Sequence, residues 1–94
     1  MAWIHVRHRV ADYEQWKAVY DQTAELKRSQ GWKRYRVFQV AGDRTDILVM
    51  EEFETLEQAQ SFLQSPDLRQ AMQNAGVVGP PEILLLQGLE EGRA

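Results

Sequence analysis

The sequence predicts an α+β fold: a four-stranded antiparallel sheet with helices packed on one face. Three observations carry this. Apolar and polar residues alternate through 3–10, WIHVRHRV, as in a half-buried strand. Two longer stretches repeat apolar residues at helical spacing behind good capping residues, Asp12 and Thr55. The elements then follow in the order β-α-β-β-α-β, which right-handed crossovers fold into one sheet with both helical layers on one side.

In the first strand Ile4, Val6, His8 and Val10 share one side, and Trp3, His5, Arg7 and Arg9 share the other. Asp12 with Gln15 has the capping-box pattern, and Tyr13, Trp16, Val19, Tyr20, Thr23, Ala24 and Leu26 form an apolar stripe. Lys27 and Arg28 suit a C-terminal dipole and Gly31 suits the position after the cap, so one helix is expected over about 12–30. Residues 33–40 read as a strand, 41–46 as a hairpin loop and 47–53 as its partner. Thr55 with Gln58 opens a second helix. Ser65-Pro66 restarts it, with serine at the cap and proline at the first helical position, and Gly76 ends it in a left-handed conformation. Gly79-Pro80-Pro81 reads as a stiff connector and 82–87 as the last strand.

Two strands are apolar on both faces. Ile83 and Leu85 oppose Leu84 and Leu86; Ile47 and Val49 oppose Leu48 and Met50. Helices cover one face only. The other keeps a patch of large side chains, each worth about 1.5–3 kcal/mol on burial, and such a patch marks an interface. A second copy, sheet against sheet, is the simplest cover.

The totals exclude more than they name. The 94 residues make one domain, 1–94, and 44% hydrophobic with 27% charged residues is an ordinary globular balance. No cysteine is present, which removes disulfides, thiolate metal sites and cysteine nucleophiles and fits a cytoplasmic setting. No apolar run reaches 18 residues, so no membrane partner is expected. A net charge of −3 is a poor match to nucleic acid. KRYRVF (33–38) has the look of a basic-aromatic RNA patch, but its glycines are missing and its charges suit an edge strand that discourages pairing.

The layout, with HRVADYEQW near the start and SPDLRQAMQNAGVVGPPEI near the end, resembles the dimeric α+β barrel superfamily. Within it, the chain is similar to small proteins grouped with antibiotic-biosynthesis monooxygenases and polyketide-cyclase-like barrels. The resemblance implies a homodimeric ferredoxin-like barrel with helices outside and a pocket between each sheet and its helices. It implies either a small cofactor-independent enzyme, oxygenase- or cyclase-like, acting on a hydrophobic, aromatic metabolite, or a non-catalytic dimeric binding or accessory protein. Haem-degrading relatives use an Asn, a Trp and a His. His8 stands near the place of that Asn, and the other two have no match here.

The residues themselves offer few reactive groups. His5 and His8, three apart on a strand, point to opposite faces and cannot share a metal, so no metal and no cofactor are expected. His8 lies in the apolar register, where it is either a core histidine held by one hydrogen bond or a pocket acid/base. Trp16, Tyr20 and Tyr13, with Phe62 and Met72 from the second helical layer, are either core or the walls of a slot for a planar ligand. Glu51 and Glu52 are neighbours on a strand and point apart, so they are not a carboxylate pair.

Overall fold

The period-2 alternation becomes strand β1, Ala2–Val10, in the computed structural model, which describes residues 2–94. There follow α1 (Tyr13–Gln22), α2 (Ala24–Ser29), β2 (Trp32–Val40), β3 (Asp43–Phe53), α3 (Leu56–Leu63), α4 (Pro66–Asn74) and β4 (Val77–Gln87). The strands pair antiparallel in the order β2-β3-β1-β4, the ferredoxin-like arrangement. Among the described residues no helix is long and apolar enough to cross a membrane.

The helix starts follow from their caps. Asp12 accepts the Gln15 N–H at 3.0 Å. Thr55 and Gln58 make the full reciprocal box. Ser65 accepts from Asp67 with Pro66 at the first helical position.

Three boundaries differ from expectation. The first helix is two helices, broken at Thr23, whose hydroxyl donates to the Tyr20 carbonyl at 2.7 Å. A threonine bonding back to the preceding turn competes with the helical ladder, and the turn tightens to an i→i−3 bond from the Thr23 N–H to the same carbonyl. The expected loop 41–46 shrinks to Ala41-Gly42. Gly42 has φ 86°, and the Asp43 carboxylate holds the Thr45 N–H at 3.0 Å and its hydroxyl at 2.6 Å, which lets β3 begin at once. Finally, the 79–81 connector lies inside β4. Pairing passes from Arg7↔Glu82 to Arg9↔Val78, so these residues bulge opposite His8 alone. β4 is an edge strand, where prolines without N–H groups are tolerated.

Gly76 does take the left-handed conformation, φ 75°, directly after Ala75. Gly76→Val should therefore cost about 1–3 kcal/mol, because a β-branched residue is strained there. An unchanged urea midpoint would count against this account of the helix end.

Alternation sorts the sheet into two faces. Ile4, Val6, Val10, Ile47, Val49 and Phe53 are buried beneath the helices with Trp16, Ala59 and Phe62. Cross-strand pairing gathers His5, Met50 and Leu84, with Trp3, Leu48 and Leu86, on the opposite face. Leu84 there is 46% exposed and Phe38 44%. Glu51 and Glu52 point apart as expected: Glu52 is clamped by Arg34 in two bonds of 2.9 and 3.1 Å, and Glu51 turns toward the helices.

Candidate functional site

His8 arrives under the helices because it occupies an inward position of β1, and α1 lays its aromatic stripe across the same ground. Its ring meets Trp16 edge-on at 5.6 Å, and Trp16 stacks on Tyr20 at 4.9 Å. The imidazole is 6% exposed, and neither ring nitrogen has a hydrogen-bond partner among the described residues. Burial lowers its pKa to about 4, since nothing nearby compensates the charged form. At neutral pH the ring is uncharged. A core histidine held by one hydrogen bond would show a partner, and among the described residues this one shows none.

Beside it lies a cavity of about 50 Å³, and His8, Trp16, Tyr20, Phe62 and Met72 all line it. Tyr13 stands outside. It packs 5.9 Å from Trp16 and carries the Arg44 guanidinium 4.3 Å above its ring. The space is mostly apolar, with Val6 and Val49 as its floor and Leu68 of α4 at its side.

The far end is polar, and sequence reasoning passed it by. Lys27, expected at the helix end as a dipole partner, is only 3% exposed, as is Glu51. The Lys27 Nζ lies 3.1 Å from Glu51 Oε2 and 3.4 Å from the centre of the Tyr20 ring. The Tyr20 hydroxyl donates to the same Oε2 at 2.8 Å. Burial lowers the Lys27 pKa, outweighing the attraction of Glu51. Burial, then the Glu51 charge, raises that of Tyr20. A signal was present: Lys27 extends the stripe Trp16, Tyr20, Thr23, and Glu51 sits in register with Ile47, Val49 and Phe53. Two opposite charges in two apolar registers need one another when both are buried.

β1 pairs with β3 so that His8 faces Ile47 and Ile4 faces Glu51. At about 3.3 Å per residue, those positions are about 13 Å apart along the sheet. The arrangement is thus an apolar slot with an uncharged proton acceptor at one end and a neutralised ion pair at the other. His5 lies on the opposite face, and among the described residues no three His, Asp or Glu side chains converge as a metal group.

Comparison with known proteins agrees with this architecture. Residues 4–74 match the family described as antibiotic biosynthesis monooxygenase. SnoaB, a cofactor-independent oxygenase from Streptomyces nogalater, superposes with a TM-score of 0.75 at 11% identity, over 96% of this chain and 93% of that one. A Nitrosomonas europaea protein provisionally assigned as an antibiotic biosynthesis monooxygenase superposes with a TM-score of 0.74 at 19% identity, over 96% of this chain and 100% of that one. Rv0793 from Mycobacterium tuberculosis does so with a TM-score of 0.70 at 16% identity, over 98% of each chain. Such identities establish a shared fold and nothing finer. No curated protein matches the chain. Because the family match spans 4–74 of 94 residues and the sheet order is the one the fold requires, the chain belongs to the antibiotic biosynthesis monooxygenase family.

Proposed function

We propose that the protein is a homodimeric, cofactor-independent monooxygenase that binds a hydrophobic, aromatic phenol between sheet and helices, with His8 as its acid/base. The observation that carries this is the pair of His8 nitrogens that have no partner among the described residues, beside an apolar cavity. A phenolic O–H supplies the missing partner. Its proton passes to a ring nitrogen, and the imidazolium and phenolate stabilise each other in a site of low dielectric. The electron-rich phenolate then reduces dioxygen. One oxygen atom stays on the ring as a quinone carbonyl and the other leaves as water, so phenol and dioxygen together balance atoms and electrons. Trp16 and Tyr20 hold the ring plane, and the apolar walls keep water from the intermediates.

An aromatic ring needs more room than about 50 Å³. α4 is the wall that yields: it buries no residue, and it contributes Leu68, Ala71 and Met72 to the cavity. The small volume also favours a second reading, a non-catalytic dimeric binding or accessory protein. One experiment separates the two. A panel of aromatic phenols is titrated while His8 ring signals are followed by NMR and oxygen uptake is recorded. The oxygenase reading expects a phenol that shifts His8 and consumes oxygen, with both responses weakened in His8→Ala. A ligand that shifts His8 without oxygen uptake supports the binding protein. If no phenol moves His8, the pocket reading falls altogether.

The dimer rests on the open sheet face, where a wide groove of about 470 Å³ runs past Trp3, Phe38, Met50 and Leu86. A second sheet covers it. Light scattering at micromolar concentration should return about twice the 10.9 kDa chain mass. A monomer at that concentration would remove the barrel.

A further inference from the structure

We infer that Lys27, Glu51 and Tyr20 form a hydroxyl-recognition subsite for the end of the ligand remote from His8, an inference that rests on the cavity being the ligand site. All three line the same cavity as His8. The pair adds little as a structural element, because a buried ion pair rarely stabilises a fold more than apolar residues of the same volume. The pair keeps spare hydrogen-bonding capacity, and both of its residues line the slot. An ammonium has three donors, and Lys27 has one carboxylate partner. Both contacts to Glu51 fall on Oε2, and among the described residues Oε1 has no side-chain partner.

A neutral hydroxyl matches what is left. It accepts from the Lys27 ammonium and donates to Glu51 Oε1 at once. A hydrocarbon end can do neither, so it leaves a charged pair facing apolar surface. A carboxylate would add a second anion beside Glu51, in a pair whose charges already cancel. The separation of the two ends, four residues along β3 from the Ile47 level to Glu51, selects an elongated ligand with an oxygen at each end. His8 takes the acidic phenol, and the Lys27 cluster sets which way round the ligand lies.

The test compares 2-naphthol with 2,6-dihydroxynaphthalene, which differ by one hydroxyl at the far end. Affinities are read from the His8 ring signals in the whole protein. The dihydroxy compound should bind at least tenfold tighter. In the variant Lys27→Met/Glu51→Leu, which keeps volume and removes the charged end, that preference should vanish while 2-naphthol binds within threefold of its former affinity. A measurement on the unaltered protein needs no variant to fold: the side-chain nitrogen signal of Lys27 in 15N-lysine-labelled protein should move with the dihydroxy compound and stay still with 2-naphthol. Equal affinities, a preference that survives in the variant, or an unmoved Lys27 signal overturns the subsite while leaving the His8 pocket standing. If neither compound binds, the pocket reading and the subsite fall together.

Discussion

Glu51→Ala should lower stability by about 3–5 kcal/mol, the usual cost of leaving one partner of a buried ion pair alone. The Lys27 ammonium, 3% exposed, then has no carboxylate, and the Tyr20 hydroxyl loses its acceptor. Lysine has one escape, which is to release its proton. From an ordinary pKa of about 10.4 that costs about 4–5 kcal/mol at pH 7, and this caps the loss. The triple variant Lys27→Met/Glu51→Leu/Tyr20→Phe should recover most of it, since apolar replacement of a buried pair is often neutral or better. Urea midpoints of the three proteins decide the matter. A midpoint for Glu51→Ala within a few tenths of a molar of the unaltered protein would mean that water already reaches the pair.

The second large effect is acid lability through His8. Its pKa is lowered to about 4 in the folded protein, from 6.5, by burial. Between those values the folded state binds fewer protons than the unfolded state, so stability falls as pH falls. The contribution of the uncharged ring is fully present above pH 6.5 and is lost as pH drops toward 4. A gap of that size corresponds to about 3 kcal/mol. Other titratable groups on the cavity are Tyr20, Lys27, Glu51 and Asp67. All four are shared by His8→Phe, which replaces the ring with an apolar one, so their contribution is common to both proteins. Stability measured from pH 7 to pH 4 should therefore fall less steeply in His8→Phe than in the unaltered protein. Parallel curves would show that His8 titrates from a hydrated position.

Much of this site could be read before folding it. The inward position of His8 follows from a strict alternation in which a one-residue slip would expose Ile4, Val6 and Val10. Trp16 and Tyr20 follow from a stripe four residues apart, and Phe62 and Met72 from the second helical layer. Tyr13 shows the limit of the same reasoning. It begins the stripe, but it lies at the end of α1 beyond the cavity, where Arg44 covers it. Periodicity assigns a face and not a position along the partner element.

Local signals thus determined the elements, their caps, the left-handed Gly76 and the two faces of the sheet, because each depends on residues a few positions apart. The tertiary structure alone decided the rest. Thr23 broke the first helix through a bond too local to stand out against the stripe around it. The strand extended through Pro80 and Pro81 because an edge next to β1 accepts what a central strand would not. Lys27 and Glu51 stand 24 positions apart in the chain and meet only when α2 docks against the sheet. Charges in apolar registers announce that a partner is needed. Which residue answers is a matter of packing, since a contact across the chain depends on how the layers settle and not on any spacing within one element.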